Sequence, residues 1–477
     1  MSLFFRNNIL KSILPMFKAM TLLALTAFPS IAYADVATHP QAEAQALALA
    51  EKAIALRSVA GPGNMTADVA RLFSRALVDG GYSKKDIQIV PANNTVYMTA
   101  TWHGTDPSLK PFVILGHMDV VEAKPADWQR DPFTPVVEHG YLYGRGATDM
   151  KLDDTLAIAA LIELRREGYM PKRTIILAFS GDEETDMRTG AALADQLSDA
   201  GMVLNVDGAD GVLNEETGRP EYFSWGAAEK AYADYELTVT NPGGHSSHPR
   251  ADNAIYELSV ALLRVQKYQF KPEENAITHA YFENAAKLEP AKLGAAMTAF
   301  AADTTDQKAI ETLSADPSMV GKIGTTCVAT MVRAGHALNA LPQRATANIN
   351  CRIFPGHSKS DIQTELQKVV ADPNVQIRDV SAGSVSTNAS PMDTSFTAAV
   401  TRAVHGVYPG LPVIPSMGVG ASDNMWFRNH NVPSYKASPL FIKPSENFMH
   451  GLNERTPVSA IASGMDILLS IIPDLSN

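Results

Sequence analysis

The 477-residue chain carries 40 Lys and Arg against 51 Asp and Glu, a formal net charge of -11, and two cysteines. Its length exceeds what one compact core fills, so two folded units are expected, and its composition is that of an ordinary globular protein. The acidic balance, with no basic stripe, excludes nucleic acid as a partner, and two cysteines exclude a disulfide scaffold or a thiolate-rich zinc site.

At the N-terminus, Arg6, Lys11 and Lys18 precede the apolar run "AMTLLALTAFPSIAYA", which ends in Ala32-Tyr33-Ala34. A basic region, a short apolar region and an A-x-A site read as a secretory signal peptide over residues 1–34. The run is too short, and too broken by Pro29 and Ser30, to serve as a membrane span, and no later segment approaches one. The mature protein is therefore expected to be exported, to the periplasm, without a membrane span.

From about 35 to 225, short apolar strands alternate with helical stretches, the rhythm of a three-layer α/β sandwich. "PFVILGH", "RTIILAFSGDEE" and "GMVLNVDGAD" read as buried strands, and "MKLDDTLAIAALIELRREG" as an amphipathic helix stopping near Gly168. All three strands run into His, Asp or Glu, and in open α/β sheets sites form at the carboxyl ends of strands. From about 228 the pattern changes. "KAYADYELTVT" alternates with period two, "NPGGHSSHPR" is a turn, a helix starts near Asn253, and residues 270–320 are Ala-rich and helical. Two strand-like runs, "GTTCVATMV" and "ATANINCRIF", carry Cys327 and Cys351, and a helix is expected near 358–372. Export permits a bond between the two cysteines, but the sequence alone leaves it open. This α+β segment reads as a second unit inserted into the first, which resumes with "DTSFTAAVTRAVHGVYPG" and closes on an apolar helix.

Singly, each polar residue at the strand ends has an ordinary reading. His117 could be a hydrogen-bonded strand-end histidine, Asp149 a helix cap, Glu183 and Glu184 solvated loop acids, and Asp207 a turn former before Gly208. Together they crowd acids at one sheet edge, which calls for a cation to offset their repulsion. Imidazoles and carboxylates without thiolate suit zinc, and also cobalt or manganese. The adjacent pair Glu183-Glu184 suits a division of labour, one side chain binding metal while the other takes a proton from water.

The order His-x-Asp, Gly-Arg-Gly-x-x-Asp, Asp-Glu-Glu, a strand-end acid, Gly-Gly-His-Ser-Ser and a late His resembles the dizinc metallopeptidase family of glutamate carboxypeptidase, aminoacylase and succinyl-diaminopimelate desuccinylase. The stretches "GTTCVATMVRAGHALNALPQRATANINCRIFPG" and "FMHGLNERTP" are most similar to its carboxypeptidase S and N-acyl-amino-acid hydrolase branch. The resemblance implies a zinc-peptidase-like sandwich over 35–227 and 375–477, with a lid and dimerisation domain over 228–374. It implies that His117, Asp149, Glu184, Asp207 and His450 hold two divalent ions, most simply Zn2+, with Asp149 shared by both. Asp210 rivals Asp207 for its place. Glu183 would be the general base, and Asp119 would accept from the other nitrogen of His117 and fix its tautomer. His245, with His248 as a neighbouring competitor, would reach a partner subunit's site to stabilise the oxyanion. Asn339 and Arg352 would hold the substrate's carboxylate, a role that suits a guanidinium fork. Gly418 and Gly420 would bring backbone to the substrate, with Ser422-Asp423 departing from the more usual Thr-Asp.

The reaction so implied is hydrolysis of an amide bond next to a free carboxylate, in a small peptide or N-acyl amino acid, by a hydroxide held between the ions. A dipeptidase requiring a free amino terminus and a non-catalytic periplasmic binding protein are the alternatives.

Overall fold

The computed structural model describes residues 39–477, so the expected signal peptide lies outside the described residues. Ten strands form one large mixed sheet. Its parallel centre is Ile175–Ser180, Phe112–His117, Met202–Asn205 and Ser434–Lys436, in that spatial order. The two strands Ile175–Ser180 and Phe112–His117 are buried along their whole length, the reason their sequences are continuously apolar rather than alternating. Residues pointing one way, Phe112, Ile114, Leu177, Phe179 and Leu204, join a large cluster with the helices Pro40–Ile54, Thr66–Asp79 and Lys151–Arg166. Residues pointing the other way, Val113, Leu115, Ile176, Ala178 and Val203, pack on Leu193, Leu197 and Phe427. The sheet is thus the middle of three layers, with the catalytic-type α/β architecture expected.

One element differs from its sequence reading. The helix Lys151–Arg166 is not amphipathic: every residue from Lys151 to Leu164 is buried, and only its last turn reaches solvent. It lies between the sheet, the helix Pro40–Ile54 and the closing helix Ala460–Ser476, so no face is left for water. Its stop is as expected, with Gly168 at φ +80° just past the last turn.

The chain leaves the large sheet after Pro220–Glu229 and returns to it with Val413–Gly418, which pairs parallel with that same strand. Between them lies a four-stranded antiparallel sheet ordered Thr326–Ala334, Arg344–Ile353, Ala231–Thr240 and Gln376–Asp379. Along Ala231–Thr240, period two puts Ala233, Tyr235, Leu237 and Val239 against the helices Ala254–Lys267 and Lys359–Val370. Cys327 and Cys351 face each other across adjacent strands and are disulfide-bonded, which answers the question the sequence left open. The helices Ala276–Ala285, Ala291–Ala302 and Gln307–Ser314 confirm the helical reading of 270–320. Their apolar cluster, however, closes on Ile414 and Tyr222 of the large sheet rather than on the small one.

Candidate metal centre

The parallel strands deliver their acids to one edge. His117 ends its strand with both ring nitrogens engaged: Nε2 lies 3.0 Å from Asp149 Oδ1, and Nδ1 lies 3.0 Å from the main-chain oxygen of Asp119. The other oxygen of Asp149, Oδ2, lies 3.1 Å from His450 Nε2, and that nitrogen is also 2.9 Å from Glu184 Oε2. Asp149 therefore stands between two imidazoles, one oxygen toward each. Asp207 Oδ1 lies 4.0 Å from His117 Nε2, closing the set on the first side. The rival acid, Asp210, turns away: Oδ2 accepts from the amide of Ser438 at 2.7 Å and Oδ1 is 3.8 Å from Lys436 Nζ. The five sequence-nominated ligands thus converge from positions more than three hundred residues apart.

Their electrostatics show what is missing from protein atoms alone. Burial pushes the Glu184 carboxyl up to about 7 against the pull of His450, and burial with the Asp149 charge raises Asp207. Burial would also raise Asp149, but hydrogen bonds from His117 and His450 hold it well below the usual carboxylate range. Hydrogen bonds to Asp149 and Glu184 in turn push His450 up to about 10. Carboxylates and imidazoles crowded in this way are what a divalent cation would hold together. His117, Asp149 and Glu184 offer ligand atoms all within 4.8 Å of one another, and nitrogen and oxygen donors without sulfur suit zinc, cobalt or manganese. The residues present fit a divalent site.

Glu183 stands apart from this set. Its carboxylate makes no hydrogen bond or ion pair with any described residue, and burial pushes it well above the usual range while His117 opposes the shift. Its backbone is held in place by Asp119, whose two carboxylate oxygens accept from the amides of Glu183 and Glu184, each at 3.1 Å. Asp119 does face the other nitrogen of His117, through two of its oxygens. The main-chain oxygen makes the short bond, the carboxylate sits 3.6 Å from Nδ1, and its charge organises the Glu-Glu turn. Asp182 supports the same turn by accepting from the amides of Arg188 and Thr189.

Sequence reading missed Glu454, which is completely buried. Its Oε1 accepts from the amides of Thr148 and Asp149 at 2.7 and 3.0 Å, while Oε2 accepts from Gly146 and from Arg145 at 2.6 Å. One carboxylate thus ties the Gly-Arg-Gly-Ala-Thr-Asp turn to the loop that carries His450. Its signal lay in "HGLNERTP", four residues beyond that histidine.

The remaining nominated residues are not brought to this centre. His245 lies on a short ribbon, Gly244–His245 paired with Ala340–Leu341, and its exposed ring accepts from Ser247. Asn339 joins it there, its carbonyl accepting from the amide of Ser246 at 3.0 Å, and His248 shares the hydroxyl of Ser247. Arg352 lies on the small sheet opposite Tyr232, its guanidinium 4.9 Å over that ring. Gly418 accepts from the amide of Lys230 where the chain crosses between sheets. A Cβ on Gly420 would meet nothing within 4 Å, and neither glycine has a positive φ, so nothing in this chain itself demands glycine there. Ser422 donates to Glu229 Oε2 at 2.7 Å, and Asp423 is buried, with burial pushing its carboxyl up to about 8.

With this geometry in view, the comparison with known proteins is informative. The model of peptidase family M20/M25/M40 matches residues 113–474, three quarters of the chain and every residue of the centre. The chain belongs to that family. An N-fatty-acyl-amino acid synthase/hydrolase of Xenopus tropicalis is 28% identical over 386 residues, covering 77% of this chain and 73% of its own. Human aminoacylase-1 is 25% identical over 448 residues, 92% of this chain and 97% of its own. Among solved structures, an M20 family metallo-carboxypeptidase from Sulfolobus solfataricus superposes with a TM-score of 0.68 at 16% identity, covering 90% of this chain and 98% of that one. The fold is that of these metallopeptidases, and the chain is a hydrolytic metalloenzyme of the M20 family.

Proposed function

We propose that this M20 enzyme hydrolyses the amide bond next to a free carboxylate in N-acyl amino acids and small peptides. The observation that carries the reading is Asp149, with one oxygen 3.0 Å from His117 and the other 3.1 Å from His450. A carboxylate so placed suits a ligand shared by two ions, His117 and Asp207 serving one and Glu184 and His450 the other. Zinc is the expected metal, given a set of imidazoles and carboxylates. Bound there, divalent ions supply Lewis acidity toward the carbonyl and lower the pKa of water.

The protein's own groups do the rest. Glu183, with no partner of its own, takes the proton of the attacking water and passes it to the departing amine nitrogen. Asp119 keeps Glu183 and Glu184 apart in direction by fixing both backbone amides. Glu454 holds the Asp149 turn rigid, as supporting carboxylates do for metal ligands. His245 and Asn339 from the short ribbon and Arg352 from the small sheet act on the substrate, His245 as an oxyanion donor.

Because His245 sits on an exposed ribbon with no contact to the centre, a second copy is the natural source of that donor. Homodimerisation is supported by the edge strand Thr326–Ala334, which exposes Val328 and Val332 beside the exposed Tyr256, Val260 and Leu263 of the neighbouring helix. Export is supported by the N-terminal pattern and by the disulfide, which belongs in an oxidising compartment. Among the described residues no helix is long and apolar enough to cross a membrane.

The test is metal content measured alongside a panel of N-acyl amino acids and free dipeptides. Two equivalents of metal, and chelator-sensitive release of the amino acid from acylated substrates, are expected. Full activity after rigorous demetallation would overturn the reading.

A further inference from the structure

We propose that Lys436 is a specificity-determining residue that disfavours substrates with a free α-ammonium group and so directs the site toward N-acylated ones. The inference rests on the amidohydrolase reading above. Lys436 ends the strand Ser434–Lys436, paired parallel with Met202–Asn205, so it emerges beside the Asp207 loop. Its place is built. A Cβ on Gly208 would lie 2.6 Å from its Nζ, and a Cβ on Gly226 would lie 3.2 Å from its own Cβ, so two glycines make room for head and stem.

The ammonium is under-used by the protein. Its nearest acid is Asp210 Oδ1 at 3.8 Å, beyond hydrogen-bonding distance, and it donates to no described residue. The side chain is 34% exposed, and its Nζ lies beside Gly208, the residue after Asp207. An ordinary lysine ammonium carries its charge at neutral pH.

Acids that could have welcomed an incoming ammonium are already committed. Glu229 is bound by Arg428 and Ser422, and Asp210 by the amide of Ser438. Asp207 and Glu184 belong to the metal set, and Glu183 is the base. In a free peptide the α-ammonium is only two bonds from the scissile carbonyl, so it cannot be remote from the groups around that carbonyl. It therefore meets the charge of Lys436 where the neighbouring carboxylates already have partners of their own. Acylation removes that charge. For like charges about 6 Å apart in a partly hydrated site, the discrimination is on the order of tenfold.

The experiment compares mature, metal-loaded wild type with Lys436→Met and Lys436→Arg on Ala-Leu and N-acetyl-Ala-Leu, which share the bond cleaved. Calorimetric affinities for leucine hydroxamate and its N-acetyl form give a readout without turnover. In Lys436→Met the acetylated-to-free ratio should fall about tenfold in both kcat/KM and affinity, with metal content unchanged, while Lys436→Arg keeps the wild-type ratio. The preference for N-acetyl-Ala-Leu over its C-terminal amide should not move. An unchanged acetylated-to-free ratio would overturn the proposal, leaving Lys436 a counter-ion for Asp210. So would a change confined to the acid-to-amide ratio, which would make it a carboxylate holder. Wild type that neither binds nor cleaves any of these probes counts instead against the amidohydrolase reading itself.

Discussion

The large sheet and the four-stranded sheet handle charge in opposite ways. At the carboxyl edge of the large sheet, His117, Asp119, Asp149, Asp153, Asp154 and Glu454 are all buried, a concentration of ionisable groups that no stable core accumulates without a task. The small sheet buries Ala, Tyr, Leu, Val and Ile on one face and keeps its polar residues on the other. The functional groups nominated in the inserted segment, Arg352 on this sheet and His245 and Asn339 at the separate short ribbon, are exposed or half-buried and touch no part of the centre. The difference teaches where each half of the chemistry resides. The edge of the large sheet gathers imidazoles and carboxylates that fit divalent ions, whose charge would offset their repulsion and desolvation. On the proposed function, the inserted segment would supply substrate-handling groups, which a second copy or a domain movement would have to bring to the centre.

That division can be broken by substitutions on either side. Glu183→Gln keeps the ligand set and removes the base, so turnover should fall by about 10²–10⁴-fold while metal stoichiometry by elemental analysis stays at wild type. Near-normal turnover would move the base elsewhere. His245→Ala should cost about 10²–10³-fold in kcat with metal retained, as for loss of an oxyanion donor. Mixing His245→Ala with Glu183→Gln protein should restore part of the activity if each copy completes the other's site. No recovery from a mixture shown to exchange subunits would confine the chemistry to one chain.

Glu454→Gln sharpens the comparison from the supporting side. It leaves Arg145 buried without its counter-charge, for which about 3–5 kcal/mol of stability should be lost in urea unfolding. Metal affinity should fall about 10–100-fold as the Asp149 turn loosens. Smallest is the disulfide of the small sheet. Replacing both Cys327 and Cys351 by Ser opens a link spanning 24 residues, for which about 3 kcal/mol is expected, with kcat on acylated substrates nearly unchanged. A large loss of kcat in that variant would show that the small sheet's rigidity, and not only its side chains, serves the reaction.

Much of this was legible in order of residues. The strands ending in His117, Glu183-Glu184 and Asp207 showed themselves because strands buried on both faces are continuously apolar and stop abruptly at the acids. The period-two run of Ala231–Thr240 and the Ala-rich helices of 276–314 announced themselves by pattern in the same way. What pattern could not supply was direction. The amphipathic reading of Lys151–Arg166 failed because Asp153, Asp154 and Thr155 look solvent-facing in sequence yet are enclosed by the sheet and two helices. The choice of Asp207 over Asp210 had a reason in sequence, the strand end, but it took the contacts of Asp210 with Ser438 and Lys436 to show the two acids facing different ways.

The amino-acid order by itself determined which residues are chemically able to hold metal, which strands carry them and which fold class would gather them, because those properties follow from side-chain chemistry and local periodicity. Only the tertiary structure decided that Asp149 stands between His117 and His450, that Glu454 ties their loops, that Asp119 holds the Glu-Glu turn and that Lys436 lies beside the Asp207 loop with no hydrogen-bond partner among the described residues. Those are relations between residues far apart in the chain, and distances of a few ångströms across such separations are set by packing, which no local pattern encodes.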